Sequence, residues 1–403
     1  MKKKILVICI FAIATLLLAS QVMAGGVTPK EELGQFLYFD ENLSQPSGQS
    51  CASCHLPDFG FADPDQDLPV SEGVLPNRFG GRNSPSSAYA MYAPIRYFDE
   101  EDGLWIGGQF WDSRATGSGL GDPLADQALG PFLNPVEMAN QNKVQVINDI
   151  AKSEYAKLFE QVWGKRSLKN VEAAYDQVAL SIAAFERTQL FGQFSSKYDL
   201  YLQTCIVDEV GDPDDCAIGI GDAASAAGVA IFEGEEWPGL QLFMGDRAMC
   251  SACHVAEWTK AKDYGLPVQV PDWAPNGWVP PLFTDFTYDN LGVPKSQDPL
   301  LVDNPDDLGL GPVVDEVAQN GKFKVISLRN IDDTAPYAHN GFFESLEAIT
   351  HFYNTRDVPE EGWPEPEVPN TVNTDELGDL GLDVDEEAAL VAFMKTLSDG
   401  YVR

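Results

Sequence analysis

Two pentapeptides constrain this chain more than anything else in it: Cys51-Ala-Ser-Cys54-His55 and Cys250-Ser-Ala-Cys253-His254. In each, two thiols at this spacing can add to the two vinyl groups along one edge of a haem. The histidine that follows then places its imidazole beneath the iron. A single such motif in a reducing cytoplasm would equally suit zinc or a redox dithiol. Here there are two, and they follow an export signal. Two covalently bound haem c groups are therefore expected, on Cys51, Cys54 and His55 and on Cys250, Cys253 and His254. The signal occupies residues 1–24: Lys2, Lys3 and Lys4, an apolar run Ile5–Leu18 too short to span a bilayer, and small residues up to Ala24. The mature chain is expected to begin near Gly25, to work in the periplasm and to carry no membrane span.

A chain of 403 residues, 44% of them hydrophobic, can fill two domains of ordinary size. Its 62 acidic residues outnumber 26 basic ones, for a formal charge of −36, or −39 once the three leader lysines are gone. So acidic a surface excludes nucleic acid and anionic lipid as partners. It suits a basic protein partner, or serves only for solubility. Of the seven cysteines, Cys9 leaves with the leader and four belong to the haem motifs. Cys205 and Cys216 remain, and in an oxidising compartment they are expected to form a disulfide. Closing so short a loop stabilises by roughly 2–3 kcal/mol in the chain-entropy model. The alternative is a pair of free thiols.

Helical periodicity runs through Val144–Trp163, Leu168–Leu190, Ala223–Phe232, Ser345–Tyr353 and Glu386–Leu397. Long Gly/Pro/Asp-rich stretches such as Asp58–Pro85 and Tyr264–Pro281 lie between them, and strand-like alternation is scarce. The pattern predicts a mainly α protein of two cytochrome c-like haem domains with long ordered loops. The first domain is placed at 25–215 and the second at 216–403. The stretch Cys205–Gly221 reads as the linker, and the last helix is a candidate to pack back on the first domain. Beyond the two motifs the halves share little.

The second face of each iron decides what the haem can do. Outside the motifs there are two histidines, His339 and His351, and none between His55 and His254. The first haem therefore cannot be bis-histidine unless a late histidine folds back on it. Either Met91 or Met138 closes it, or it is open, and an open ferric haem binds peroxide. For the second haem no methionine follows His254 until Met394, so a His/Met pair is not expected. The candidates are His339, His351 and Tyr353. On a helix over Ser345–Tyr353, Leu346, Ile349, Thr350 and Tyr353 share one face. His351 points about 150° away from it by the 3.6-residue period. Tyr353 thus faces inward as a ligand or as a core tyrosine.

Further short motifs punctuate the chain: RNSPS at Arg82–Ser86, FWDSR at Phe110–Arg114, DQALGPFLNPVEM at Asp126–Met138, LRN at Leu328–Asn330, TAPYAHNG at Thr334–Gly341 and FYN at Phe352–Asn354. Together with the haem motifs, from about Leu33 to Leu397, they resemble the bacterial di-haem cytochrome c peroxidases, and within them the MauG branch. The resemblance implies roles. Trp111 corresponds to an electron relay between the haems, with Trp105 as the alternative. Gln127 and Glu137 correspond to a distal pair over the peroxidatic haem, and Pro131 to a distal proline. Asn83, Thr334 and Pro336 correspond to residues around a calcium ion. Tyr353 stands fourteen residues after His339, where ordinary members of the family carry methionine and MauG carries tyrosine.

The resemblance also marks a departure. Many di-haem peroxidases carry, in the loop after the first haem motif, a histidine that must leave before peroxide binds; this chain has none. The combined reading is an enzyme that reacts with hydrogen peroxide at the His55 haem and shares the oxidising equivalents through Trp111 with the His254 haem. As in MauG, a residue of a partner protein is then oxidised. In the alternative, a small electron-donor protein is consumed and peroxide becomes water. A third reading is a non-enzymatic di-haem electron carrier.

Overall fold

The structure, a computed structural model, describes residues 26–402; the expected export signal and Cys9 lie outside them. It is mainly helical. The first half contains α1 (Pro29–Phe39), α2 (Pro123–Ala128), α3 (Lys143–Ile150), α4 (Ala156–Trp163) and α5 (Val171–Glu186). Then come α6 (Lys197–Gln203), α7 (Pro213–Ile218), α8 (Gly221–Ile231), α9 (Glu236–Met244), α10 (Gly311–Val314), α11 (Leu346–Thr355) and α12 (Val384–Lys395). Among the described residues the strands make three two-stranded antiparallel pairs: β1 (Tyr97–Asp99) with β2 (Leu104–Ile106), β3 (Thr259–Lys260) with β4 (Trp278–Val279), and β5 (Tyr288–Asp289) with β6 (Phe323–Lys324).

The halves share more than their motifs. In the first, α1 crosses α5 so closely that a Cβ at Gly34 would lie 1.9 Å from the Ser181 carbonyl oxygen and 2.8 Å from Phe185 Cβ. In the second, α9 crosses α12 in the same way: a Cβ at Gly239 would lie 1.9 Å from Ala389 O and 2.8 Å from Phe393 Cβ. Glycine is required at both crossings because any side chain would push the backbones apart. Both crossing pairs start on reciprocal caps, Thr28 with Glu31 for α1 and Asp383 with Glu386 for α12. A repeat carried by one glycine and one phenylalanine per half escapes sequence inspection.

Each crossing anchors its own apolar core. The first core runs from Leu33 to Phe194 and borrows Val279 and Leu282; the second runs from Tyr198 to Leu397. The passage between cores thus falls at Phe194–Tyr198, ahead of the expected 215/216. The stretch Cys205–Gly221 is not a linker. Cys205 and Cys216 form a disulfide with Cα atoms 6.0 Å apart, and both are fully enclosed in the second core. The last helix, α12, packs on α9 in the second core. It is the tail beyond α12 that reaches the first, where Asp399 accepts hydrogen bonds from Tyr89 (2.9 Å) and from the Ser195 amide (2.9 Å). The predicted helix Val144–Trp163 is two, α3 and α4. They part at Ser153, whose amide and hydroxyl both turn back to the Ile150 carbonyl at 3.1 and 2.8 Å.

The seam between the cores is held by Arg329 of the LRN motif. Its guanidinium is fully buried, pairs with buried Asp199 at 2.8 Å and donates twice to Pro281 O. It lies over the rings of Tyr89 and Phe194 from the first core and of Tyr198 and Phe283 from the second. Removing one partner of so enclosed a pair costs about 3–5 kcal/mol, because the other charge is left stranded. The two haem motifs are therefore set on one rigid frame.

Candidate active site

Both haem motifs fold alike. Each is a single 3₁₀ turn, Cys51–Ser53 and Cys250–Ala252, closed by a hydrogen bond of 3.0 Å from the histidine amide to the first cysteine's carbonyl. Each proximal imidazole is then held by a phenylalanine carbonyl: His55 Nδ1 lies 3.2 Å from Phe61 O, and His254 Nδ1 lies 2.8 Å from Phe283 O. Both phenylalanines occupy the left-handed backbone region, at φ 60° and 55°, which costs on the order of 1–3 kcal/mol each. This strain buries the ring and turns the carbonyl onto the imidazole. Nδ1 is thereby the protonated nitrogen, and Nε2 is left as a neutral ligand. Burial lowers both histidine pKa values, that of His254 to about 4. Neither phenylalanine carries a signal in the sequence that would have identified it as a support for the haem.

Around His254 the chain encloses a cavity of about 1470 Å³, its open mouth included. Cys250, Cys253 and His254 form one part of its wall, and Tyr353, Trp111 and Lys324 form others. An apolar hollow ending in two thiols and a neutral imidazole fits a covalently attached haem. Tyr353 is carried there by α11, whose Ser345 cap fixes the helix phase. Burial pushes its hydroxyl well above the ordinary tyrosine pKa, so the phenol is neutral without a cation beside it. His351, two residues earlier, is turned to the surface between Glu387 (3.0 Å) and Glu361 (3.3 Å), which raise its pKa. His339 lines the cavity but is committed elsewhere: it stacks on Phe323 with ring centroids 3.6 Å apart and meets Glu367 at 3.3 Å. Met394 also reaches the wall.

On the His55 side, one continuous segment carries Gln127 at the end of α2, Pro131 and Glu137. It is folded back by bonds from the Met138 amide to Pro131 O (3.2 Å) and from the Glu137 amide to Asn134 O (3.1 Å). The Glu137 carboxylate accepts from Asn134 Nδ2 at 2.7 Å. Burial raises its pKa against the opposing pull of Arg114 and of that bond. Burial pushes up the pKa of both motif thiols, Cys54 to about 12, and the Glu137 charge adds to the rise at each. The carboxylate therefore lies within electrostatic reach of the first haem motif. Met91 and Met138 are both enclosed in the first core.

Trp111 stands between the two sites. Its ring lines the second cavity, and its indole N–H donates to Asn83 O (2.9 Å) in the RNSPS motif of the first half. The FWDSR turn around it is knit by Asp112, which pairs with Arg82 (2.6 Å) and Arg114 (3.0 Å). Trp105 instead packs on Phe98 and beneath Arg96 in the β1–β2 hairpin. The Asn83 amide N–H donates to His339 O at 2.7 Å, drawing the TAPYAHNG loop against RNSPS. Asn83 Nδ2 goes to Pro69 O (3.3 Å). The Asn83 amide oxygen and the carbonyls of Thr334 and Pro336 accept no hydrogen bond among the described residues. All three are hard oxygens of the kind that calcium takes. Trp273 donates to Phe194 O (3.1 Å) and packs edge-on to Trp258, so the loop that carries these two tryptophans belongs to the seam.

Two cysteine-linked imidazoles, each locked in its ligand tautomer and joined by a buried tryptophan, define a two-haem c-type protein. Comparison with known proteins gives the family. Residues 28–205 match the family described as di-haem cytochrome c peroxidase. The methylamine utilization protein MauG of Paracoccus denitrificans is 34% identical over 388 residues, covering 91% of this chain and 88% of that protein. Cytochrome c551 peroxidase of Nitrosomonas europaea is 27% identical over 376 residues, covering 92% and 82%. The crystal structure of the diheme peroxidase BthA from Burkholderia thailandensis E264 superimposes with a TM-score of 0.74 at 27% identity, over 93% of this chain and 89% of that one. This chain belongs to the di-haem cytochrome c peroxidase family: it is an enzyme acting on peroxide, with two haem groups as cofactors.

Proposed function

We propose that this enzyme takes hydrogen peroxide at the His55 haem and spends the oxidising equivalents on a residue of a partner protein, in the manner of MauG. The observation that carries this reading is the placement on α11: Tyr353 in the wall of the His254 cavity and His351 outside it. When bound, the haems supply the redox chemistry. The protein's own groups do the rest. Glu137, held by Asn134 and made more basic by burial, is suited to carry a proton from one peroxide oxygen to the other. Gln127 and Pro131, on the same segment, shape the peroxide side. Trp111 is the relay between the sites. Tyr353 would hold the second haem through its oxygen, and as the anion that oxygen would favour the oxidised state of the iron.

Asn83, Thr334 and Pro336 would hold a calcium ion that ties the RNSPS and TAPYAHNG loops together. The leader-like residues 1–24 and the Cys205–Cys216 disulfide support a periplasmic location. Among the described residues no helix is long and apolar enough to cross a membrane. The protein partner is basic, by complement to a chain of charge −36.

The similarity to cytochrome c551 peroxidase supports the second reading, peroxide reduction to water at the expense of a small donor protein. Because no histidine follows the first motif until His254, the fully oxidised enzyme should react with peroxide without prior reduction. Stopped-flow mixing of the oxidised protein with one equivalent of peroxide tests this. A reaction that begins only after an electron donor is added would move the enzyme to the second reading.

A further inference from the structure

A haem brings two propionate carboxylates with it, and burying a carboxylate is costly unless a cation meets it. The wall of the Tyr353 cavity offers one lysine or arginine among its lining residues, Lys324. The acidic groups of the same wall are already engaged. Asp307 pairs with Arg82 at 2.6 Å and Glu367 with His339 at 3.3 Å. Asp289 and Glu376 both accept from the Asn373 amide, at 2.6 and 2.7 Å.

Lys324 is the reverse case. The residue is only 8% exposed, and its Nζ donates to two neutral oxygens, Gly108 O at 2.6 Å and Gln109 Oε1 at 3.1 Å. The face of the Phe286 ring lies 5.7 Å away, and among the described residues no carboxylate charge offsets its burial. An ammonium has three donors, so one is left for a further acceptor. The backbone fixes this position: the Lys324 amide donates to Trp111 O at 2.9 Å, and β6 pairs with β5, whose Tyr288 bonds to Gly107 O. Burial without a partner drags the ammonium pKa down to about 7. An enclosed lysine of this kind is expensive, and it lines the cavity that would receive the cofactor and its own unpaired anions.

We propose that Lys324 is the counter-ion to a propionate of the haem attached at Cys250 and Cys253, and that this pair holds up that haem's reduction potential. A positive charge beside the haem favours the ferrous state, so loss of the charge should favour the ferric state. Lys324 is thus a positioning and tuning residue next to the Trp111 relay. The inference rests on haem attachment in this cavity and not on which of the two reactions the enzyme performs.

The test compares haem-loaded wild type with Lys324→Gln, which keeps an amide donor for Gly108 and loses the charge, and Lys324→Arg, which keeps the charge. Spectroelectrochemical titration at neutral pH reads the two haems separately. In Lys324→Gln the reduced-to-oxidised ratio of the His254 haem at fixed potential should fall about tenfold, equivalent to 59 mV for one electron. The His55 haem should be unmoved, and Lys324→Arg should recover most of the change. An unchanged Lys324→Gln, or a Lys324→Arg that falls as far, would show Lys324 to be only a latch on Gly108 and Gln109. If Lys324→Gln does not load haem, redox-difference infrared spectra of wild type and Lys324→Arg decide. A propionate carboxylate band that shifts between them supports the pair, and an identical band overturns it. Either outcome leaves the choice between protein oxidation and peroxide reduction untouched.

Discussion

Substituting Tyr353→Met should raise the reduction potential of the His254 haem by roughly a few tenths of a volt, within the ~0.8 V that axial ligands span. Three facts lead there. Tyr353 shares a cavity wall with His254, Cys250 and Cys253. The two histidines that could compete are engaged, His351 with Glu387 and Glu361 at the surface and His339 with Phe323 and Glu367. Methionine is a soft, neutral donor, whereas a tyrosine oxygen is hard and anionic next to ferric iron. The variant haem should therefore accept electrons readily and hold an oxidising equivalent poorly. The optical change that peroxide produces should decay faster, while consumption of a reduced donor protein should improve. A redox titration and rapid-scan spectra read both effects. A variant with the wild-type potential and the wild-type decay would remove Tyr353 from the iron and weaken the case for protein oxidation.

The second large effect belongs to Glu137. Glu137→Gln should retain both haems yet slow the reaction with peroxide by roughly 10²–10⁴-fold, the usual worth of a positioned proton carrier. The substitution is close to isosteric and can keep its place beside Asn134, so packing of the Pro131–Met138 turn survives. What is lost is the proton-accepting oxygen, whose basicity burial has raised. Stopped-flow rates against peroxide concentration give the measurement. A rate within a factor of two or so of wild type would assign the Glu137 side chain to holding the turn, through the bond it accepts from Asn134 Nδ2.

The sequence spoke clearly where chemistry demands fixed spacing. The Cys-x-x-Cys-His motifs allow little choice, and the 3.6-residue period alone separated Tyr353 from His351 on α11. It was silent where support comes from the backbone. The carbonyls of Phe61 and Phe283 reach the imidazoles from left-handed positions that nothing in an aromatic side chain announces. Lys324 hid in the apolar run Phe323–Leu328, where one basic residue reads as an exposed strand position. Helices α1 and α9 were missed although Thr28-Pro29 and Glu31 supply a complete capping box for α1. The acidic, proline-containing composition of Cys205–Gly221 reads as a linker. Its disulfide, together with the tyrosines that bond its carbonyls, Tyr198 to Ala217 O and Tyr201 to Cys216 O, draws it into the second core. Repetition of the helix crossing rests on Gly34 and Gly239, two glycines among 35.

The two irons are proposed to be an asymmetric pair, one open above His55 and one closed by Tyr353. Low-temperature electron paramagnetic resonance of the oxidised protein tests it most directly, with Tyr353→Phe beside the wild type. The wild type should show one high-spin and one low-spin ferric haem, and Tyr353→Phe should convert the low-spin signal to high spin. Low-spin signals alone in the wild type, or a low-spin signal that survives in Tyr353→Phe, would contradict it.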